Sequence, residues 1–400
     1  MKKILVMLFL FFAHNLFAQE TFIYDDFRYT INENNEITIR GYKGYSSSLD
    51  IPSVIDGKTV TTIGESAFSD CYSLTSITIP NSVTTIGSKA FSRCKSLANI
   101  KISENNKTFA VIDNILYDKK EKMLHTCFSK KTNVVIPNGI LKINNGAFYG
   151  CDSLTSVTIP DSVITIGEGA FSWCESLGSI TIPDSVTTIG SEAFSYCESL
   201  TNIEISENNE AFTVVGNILY DKKEKMLHTC FSKKTNVVIP NGIFKINNGS
   251  FADCSSLTSI TIPNSVTTIG EGAFFYCVSL TSITISNSVT TIGECAFSGC
   301  ESLTSITIPN SVTTIGEWAF SDCKSLTSVT IPDSVTSIGD NAFSMCDSLT
   351  SVTIPDSVIT IGDEAFDNCY SLTIQCNSGS YAEKYCKDKN LKCLITPDWL

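Results

Sequence analysis

The sequence predicts a mainly β solenoid, in which the chain winds into about twelve coils of 23 residues between two caps. Two observations predict it. The phrase I-P-x-S-V-T-T-I-G-x-x-A-F-x-x-C-x-S-L recurs with little change from Ile51 to Leu372. The isoleucine that closes each I-T-I tripeptide, or its equivalent, recurs every 23 residues except at two gaps of 34. A fixed period of this length is typical of a solenoid, whose coils contact only their neighbours.

One repeat shows why the chain coils. Leu303 to Ile308 alternate apolar and polar side chains, which predicts a short strand with one buried face. Pro309 ends the strand because proline cannot donate to a ladder, and Gly316 is predicted to allow a bend closed to other residues. Ala319 to Cys323 then bring small and aromatic side chains inward. No coil can bury these side chains alone, so stability requires stacking.

These motifs carry a resemblance to a known family. L-x-x-I-x-I followed by a turn resembles the strand segment of leucine-rich repeats. The full phrase is similar to the BspA-like bacterial leucine-rich repeat family over about residues 21–395. The resemblance implies a leucine-rich-repeat solenoid. One departure is that the usual asparagine ladder after the strand has no clear counterpart, although Ser311 and its equivalents lie nearby.

Four segments are expected along the chain. Residues 1–18 read as a signal peptide, because two lysines precede a short apolar run and a cleavage site after Ala18. Residues 19–50 are expected to form an N-terminal β cap, and residues 51–372 the solenoid. Residues 373–400 are expected to form a C-terminal cap with a helix and a final strand. No later segment is apolar for long enough to predict a transmembrane helix, so we expect an exported protein.

The two long gaps predict hairpin insertions at about residues 103–133 and 206–236. Asn114 to Ile140 recurs identically at Asn217 to Ile243, which indicates a duplicated block of coils. Each copy has apolar segments around a charged D-K-K-E-K turn and is expected to project as a hairpin. These turns are either solvated or a pair of basic contacts for an acidic partner. The lysines concerned are Lys119, Lys120, Lys122, Lys222, Lys223 and Lys225.

The cysteines and histidines do not predict a catalytic site. Of 17 cysteines, eleven occupy one inward repeat position and are expected to be buried thiols, whereas Cys376, Cys386 and Cys393 are better disulfide candidates. His125 and His228 lie two residues before a cysteine, but no third ligand or orienting acid accompanies them. We therefore assign no catalytic residue, no metal ligand and no cofactor.

Two surfaces are candidates for binding a partner. The outward strand positions form a threonine column, which is either a solubilised sheet or a docking face for an extended partner. Its candidate members are Thr158, Thr181, Thr261, Thr284, Thr307 and Thr330. Exposed aromatic side chains are the usual anchors of interfaces. The candidates are Trp173, Tyr196 and Tyr276, which precede the repeat cysteine, and Trp318, which lies two positions before the repeat phenylalanine.

The net charge of the chain argues against nucleic acid as a partner. The formal net charge of −13 makes the chain a poor binder of nucleic acid. The family resemblance implies a secreted or cell-surface bacterial protein that binds macromolecules and is not an enzyme. Its expected partners are extracellular or host-matrix proteins, or other cell surfaces. The alternative is a passive structural or assembly protein of the bacterial envelope, for which an exposed, crosslinking Cys295 would be evidence.

Overall fold

The computed structural model describes residues 20–128, 131–231 and 234–396. The predicted signal peptide lies outside these residues. The described chain is mainly β, with about 15 turns and one helix. This count exceeds the dozen repeats because the caps and the insertions continue the winding. The β-solenoid class predicted from the repeat is confirmed.

The strands follow the chain in six groups. The N-terminal cap and first coils contain β1 (Phe22–Tyr24), β2 (Phe27–Ile31), β3 (Ile37–Tyr42), β4 (Ser48–Asp50), β5 (Val54–Ile55), β6 (Lys58–Ile63), β7 (Ser76–Ile79), β8 (Thr85–Ile86) and β9 (Asn99–Ile102). The first insertion contains β10 (Phe109–Ile112), β11 (Ile115–Asp118) and β12 (Met123–Cys127). The next coils contain β13 (Asn133–Val135), β14 (Lys142–Ile143), β15 (Ser156–Thr158), β16 (Thr165–Ile166), β17 (Ser179–Ile182), β18 (Thr188–Ile189) and β19 (Asn202–Ile205).

The second half repeats this order. The second insertion contains β20 (Phe212–Val215), β21 (Ile218–Asp221) and β22 (Met226–Cys230). The coils after it contain β23 (Asn236–Val238), β24 (Lys245–Ile246), β25 (Ser259–Thr261), β26 (Thr268–Ile269), β27 (Ser282–Thr284), β28 (Thr291–Ile292), β29 (Ser305–Ile306), β30 (Thr314–Ile315), β31 (Ser328–Thr330), β32 (Ser337–Ile338), β33 (Ser351–Thr353) and β34 (Thr360–Ile361). The C-terminal cap contains β35 (Thr373–Asn377), α1 (Tyr381–Lys389) and β36 (Cys393–Thr396).

Each regular coil presents three faces, and each face has its own ladder of hydrogen bonds. The first face carries the I-T-I strands, which pair in parallel, as β17 does with β19. The second face carries the two-residue T-I strands, as in β16 and β18. The third face is the G-x-x-A-F-x-x-C turn. On it Phe171 N donates to Ala193 O at 2.8 Å and Trp173 N to Ser195 O at 2.9 Å, so this irregular segment is also a regular ladder.

The core is a repeated layer of the same residue types. In the layer at Phe320 the phenylalanine, Ala319 and Cys323 are fully buried. The Phe320 ring stacks on Phe297 and Phe343, with centroids 5.3 Å apart on both sides. The buried residues form three successive clusters that meet at the two insertions. The insertions are therefore the places where the layered packing changes.

The repeat glycine has a different role from the one predicted. Gly316 does not have a positive φ, so its backbone does not need the conformations reserved for glycine. A Cβ on the equivalent Gly339 would lie 2.5 Å from Glu317 N of the preceding coil. Glycine is required here because successive coils approach closely, rather than because the chain bends.

Serine and asparagine together replace the asparagine ladder. Ser311 Oγ donates to Val289 O of the preceding coil at 2.5 Å, and Ser334 Oγ to Val312 O at 2.7 Å. In the two insertion coils, buried Asn106 and Asn209 donate instead, to Val83 O and Val186 O, both at 3.1 Å. The ladder thus has serine in several regular coils, at Ser162, Ser185, Ser311 and Ser334, and asparagine where an insertion follows.

The predicted hairpin between the two apolar segments forms, but it does not project. β10, β11 and β12 form an antiparallel meander, and β12 continues the second face by pairing in parallel with β14. Leu116 and Leu124 are fully buried, so these apolar strands are part of the core. The second copy has the same arrangement in β20, β21 and β22. The meander turns at Lys119 to Lys122 and Lys222 to Lys225 remain exposed.

Candidate functional site

An aromatic cluster lies on the third face near the second insertion. The rings of Trp173 and Tyr196 stack with centroids 4.2 Å apart and an interplanar angle of 13°. Tyr196 meets Phe275 edge-on at 6.5 Å, and Phe275 meets Tyr276 at 4.6 Å. Trp173 and Tyr276 remain 39% and 43% exposed. The structure therefore joins three of the four predicted aromatic residues into one row, which we call the aromatic cluster: Trp173, Tyr196, Phe275 and Tyr276.

The fourth predicted aromatic residue lies elsewhere. Trp318 is 36% exposed and belongs to a different column of the third face, further along the solenoid. Among the described residues its ring contacts no other ring. Phe275, by contrast, was not predicted as a site residue. Its signal in the sequence is a break in the repeat, because most other coils have serine at this position.

The backbone of the aromatic cluster is strained. Trp173, Tyr196 and Tyr276 have φ values of 62°, 59° and 55°, in the left-handed region that large side chains rarely adopt. The same position holds glycine at Gly150 and Gly299. The Gly299 Cα faces the Tyr276 ring so closely that a Cβ would lie 3.1 Å from it. Every regular coil has a left-handed residue at this position, so the backbone conformation belongs to the repeat, and the aromatic side chains are what distinguish the cluster.

A cavity opens beside Tyr196, where the second insertion interrupts the third-face ladder. Its volume is about 230 Å³, and it lies between the coil of Phe194 and the coil of Phe251. Its rim carries Glu198 and Asp253. Burial, and then the neighbouring Glu198 carboxylate, raise the pKa of Asp253. Within the described part of the chain neither carboxylate forms an ion pair, so the rim is an unneutralised acidic site.

The first insertion also interrupts the third-face ladder. We call the two interruptions the first and second notch; the cavity lies in the second, whereas side chains fill the first. Only about 10 Å³ remains there. Tyr149 occupies the notch beneath the Lys89 ammonium group, which lies 5.5 Å from the ring centroid. The Lys95 ammonium group pairs with Asp152 at 2.7 Å. This notch has no room for a partner's side chain.

Substitutions between the duplicated blocks explain the difference. At the second notch, 103 positions later, the equivalent of Tyr149 is Ala252, whose small side chain leaves the cavity open. Glu198 and Ser255 are the equivalents of Lys95 and Asp152. The ion pair of the first notch is therefore replaced by the Glu198 carboxylate beside a neutral serine. The two blocks share an identical 27-residue segment, 114–140 and 217–243, yet the notches beside it have diverged in shape and charge.

The threonine column is exposed but interrupted. All six candidate threonines are exposed on the first face. Thr158 pairs with Val135 and Thr261 with Val238, and both valines are 73% exposed. The longest unbroken run of the six is Thr261, Thr284, Thr307 and Thr330.

The six candidate lysines are exposed, but some are already engaged. The Lys119 and Lys222 ammonium groups donate to the backbone carbonyls of Asn106 and Asn209. The Lys225 ammonium group lies 5.4 Å from the Phe244 ring centroid. Lys120 and Lys223, at the tips of the two meander turns, and Lys122 are exposed as well.

The two histidines have structural positions. His125 Nε2 lies 2.8 Å from Ile86 O, and His228 Nε2 lies 3.0 Å from Ile189 O. Both rings are buried, and burial lowers the pKa of each imidazole. Across residues 20–128, 131–231 and 234–396, no three histidine, cysteine or acidic side chains are placed to hold a metal ion.

Comparison with protein families now identifies the chain. The family model "BspA type Leucine rich repeat region (6 copies)" matches residues 19–118, 120–221, 223–346 and 267–391. The chain belongs to the BspA-type leucine-rich repeat family. A search of curated proteins finds no match. The family expected from the repeat phrase is confirmed by this match.

Solved structures agree with a BspA-type solenoid. A "leucine rich cell surface protein" from Faecalibacterium prausnitzii is 30% identical, covers 92% of this chain and 97% of its own, and has a TM-score of 0.53. A leucine-rich repeat protein from Eubacterium ventriosum is 24% identical, covers 88% and 95%, and has a TM-score of 0.52. The pneumococcal vaccine antigen PcpA is 20% identical, covers 94% and 99%, and has a TM-score of 0.54. The last two support the fold alone.

The family and the F. prausnitzii neighbour suggest that this BspA-type protein is a surface or secreted protein. Within the described residues, the structure contains no helix with the length and hydrophobicity needed to cross a bilayer. Leucine-rich-repeat solenoids are typically non-catalytic.

Proposed function

We propose that this BspA-type protein is a non-catalytic secreted or cell-surface adhesion protein that binds an extracellular protein through the aromatic cluster. The observation that carries the proposal is the row of Trp173, Tyr196, Phe275 and Tyr276 beside an acidic cavity. The expected partners are extracellular or host-matrix proteins, or proteins on other cells.

The aromatic cluster has the chemistry of an interface anchor. Tryptophan and tyrosine provide large, rigid apolar surfaces with a polar edge, and they dominate the binding energy of many interfaces. The stacked pair is held in place, because the Tyr196 ring lies between Trp173 and Phe275. A partner therefore meets an ordered surface and loses little conformational freedom in ordering it.

The cavity adds specificity for a basic side chain. A cavity of about 230 Å³ is large enough for one long side chain of a partner. Glu198 and Asp253 on its rim attract an ammonium or guanidinium group. We therefore expect the preferred partner to present an exposed lysine or arginine next to an apolar patch.

The other candidate surfaces have supporting roles in this proposal. The exposed threonine column provides a flat, hydroxyl-rich face for extended contact, and the meander lysines provide basic contacts. The alternative envelope scaffold has weaker support. Cys295 is only half-buried, but burial and the surrounding glutamates raise the pKa of its thiol to about 11, which disfavours the thiolate needed for crosslinking.

The test is a binding assay with matched variants. The chain without its predicted signal peptide, residues 19–400, is applied to an array of extracellular-matrix proteins and glycans, and to intact cells. Trp173→Ala/Tyr196→Ala removes the stack, and Asp253→Asn/Glu198→Gln removes the rim charge. Met345→Ala is the control, since Met345 is an exposed residue at the same column position outside the aromatic cluster.

We expect saturable binding to a protein ligand, at least tenfold weaker in the stack variant, with the control unchanged. Loss of the rim charge should weaken binding most for lysine-rich ligands. If a ligand binds equally well to the stack variant but is lost when the meander lysines become serine, the aromatic cluster is not the site. Absence of binding to every protein and cell surface would favour the envelope scaffold.

A further inference from the structure

Three cysteines meet in the C-terminal cap. Cys376 lies on β35, Cys386 on α1 and Cys393 at the start of β36. The Sγ atoms of Cys376 and Cys393 are 3.1 Å apart. β35 and β36 pair in parallel with Ile374 opposite Cys393, so Cys376 and Cys393 are diagonal neighbours on one face of the two strands. Bonding their sulfurs requires a closure of only about 1 Å.

Some repeat thiols in neighbouring coils also contact each other, as Cys346 and Cys369 do, but the repeat cysteines have a further role. Cys323 Sγ donates to Phe297 O of the preceding coil at 3.3 Å, and Cys346 Sγ donates to Phe320 O at 3.2 Å. These thiols therefore help to satisfy the carbonyl groups of the third face. A disulfide between two of them would remove donors from this ladder, whereas a disulfide in the cap would not.

We infer that Cys376 and Cys393 form a disulfide in the mature protein and that this bond locks the end of the solenoid. The inference rests on the proposed export, because disulfides persist in oxidising compartments. The bond would enclose α1 and tie β36 to the stack. β36 is the terminal strand of the first face, and Leu394 on it is 58% exposed. The ends of a solenoid have neighbours on one side only and open first.

The exposure of the two thiols indicates which of them reacts first with an oxidant. Cys393 is half-buried whereas Cys376 is buried, so the Cys393 thiolate attacks first. It attacks the disulfide of an exported thiol–disulfide oxidoreductase, forms a mixed disulfide and releases one oxidoreductase thiolate. The Cys376 thiolate then attacks Cys393 Sγ and releases the second one. Two cysteine thiols thus lose two protons and two electrons, and the oxidant's disulfide gains them.

Cys386 is the competitor that the experiment must distinguish. It is buried on α1 and contacts Cys393 from the helix side. We take Cys376 and Cys393 as the bonded pair because their Sγ atoms are already 3.1 Å apart on directly paired strands, which leaves Cys386 as a buried thiol.

The test is disulfide mapping of residues 19–400 refolded in a buffer of reduced and oxidised glutathione. Free thiols are alkylated after unfolding, the protein is digested, and linked peptides are sequenced by mass spectrometry. We expect one cross-linked peptide joining Cys376 to Cys393, with Cys386 alkylated. Because glutathione supplies the oxidant, this readout is independent of export and of partner binding.

A second measurement tests the locking role. Limited proteolysis of the oxidised protein should cut the cap at least severalfold more slowly than proteolysis of the reduced protein. The difference should vanish in Cys393→Ser and persist in Cys386→Ser. A Cys386–Cys393 link, or alkylation of both Cys376 and Cys393, would overturn the inference.

Discussion

Two residues in each regular coil adopt left-handed backbone conformations on the third face. In the coil of Phe320 they are Trp318 and Asp322, with φ values of 54° and 59°. Glycine, aspartate and asparagine occupy many of these positions, as expected from their tolerance of positive φ. Aromatic residues there incur a cost of about 1–2 kcal/mol, as do Arg93 and Met345 at equivalent positions.

Replacing Trp173 with glycine separates binding from folding. Glycine relieves the strain of φ 62°, while the lost stack with Tyr196 costs about 0.5–1.5 kcal/mol. These effects offset each other, so the free energy of unfolding should change by less than about 1 kcal/mol while partner binding is lost. Urea unfolding and the binding assay measure the two quantities, with Met345→Gly as the control. A large destabilisation would make Trp173 a structural residue.

The buried histidines make stability depend on pH. Burial lowers the pKa of His125 and His228 in the folded protein below the usual 6.5. Below about pH 6.5 the unfolded chain therefore binds more protons than the folded chain, and stability falls. Each histidine should contribute a loss of up to about 1.4 kcal/mol per pH unit until its folded pKa is reached.

The measurement compares urea midpoints of the parent and of His125→Gln/His228→Gln from pH 7.5 to pH 5. Glutamine retains a donor for the carbonyls of Ile86 and Ile189 but does not titrate in this range. We expect the parent's advantage at pH 7.5 to shrink below pH 6.5. A gap that is independent of pH would mean that the imidazoles are not held neutral by burial.

At the scale of elements, the insertion coils depend on their asparagines. Asn209 is fully buried and donates to Pro183 O and Val186 O at 3.0 and 3.1 Å. Its Oδ1 accepts from the backbone of Ala211 and Phe212 at 3.0 and 2.8 Å. One side chain thus joins the preceding coil to the start of the meander at β20.

Asn209→Ala should cost about 3–5 kcal/mol, because it leaves buried backbone donors and acceptors without partners. Ser334→Ala is the matched control, since this serine makes the equivalent single bond to Val312 O and should cost about 1 kcal/mol. Urea unfolding gives both values. Equal costs would mean that water replaces the asparagine, and that the meander does not depend on it.

At the scale of the whole molecule, the repeat period predicted most of the fold. Ile306, Phe320 and Cys323 were expected to face inward because their spacing recurs, and all three are buried. The role of Ser311 was not predicted, because its bond is to Val289 in another coil. The charged turn predicts a projecting hairpin, but Leu116 on β11 is buried, so the meander strands belong to the core.

The candidate site was less predictable for a physical reason. Its aromatic positions could be found from breaks in the repeat. Their contacts could not, because they depend on the second insertion, which lacks the A-F-x-x-C segment and so brings distant coils together on the third face. Phe275 reaches Tyr196 only because of that interruption. The cavity likewise depends on Ala252 in one block where the other block has Tyr149. The sequence shows this substitution, but only the structure shows that the side chain at this position fills or opens a notch.

The duplicated block allows a deletion that preserves the ladders. Removing residues 115–217 joins Asn114 to Ile218, a junction that has the same local sequence as the native chain on both sides. Each strand at the new junction then pairs with an equivalent of its former neighbour, so the solenoid should fold with fewer coils. Because Trp173 and Tyr196 are removed, partner binding should be lost.

Circular dichroism, gel filtration and the binding assay test this variant. A deletion of residues 115–206 is the control, because it joins two different phases of the repeat and should yield a protein that aggregates or unfolds. If both deletions fold equally well, stacking in register does not govern stability. If the in-phase variant folds and still binds the partner, the binding surface lies outside the deleted coils, and the meander lysines or the remaining threonine column become the leading candidates.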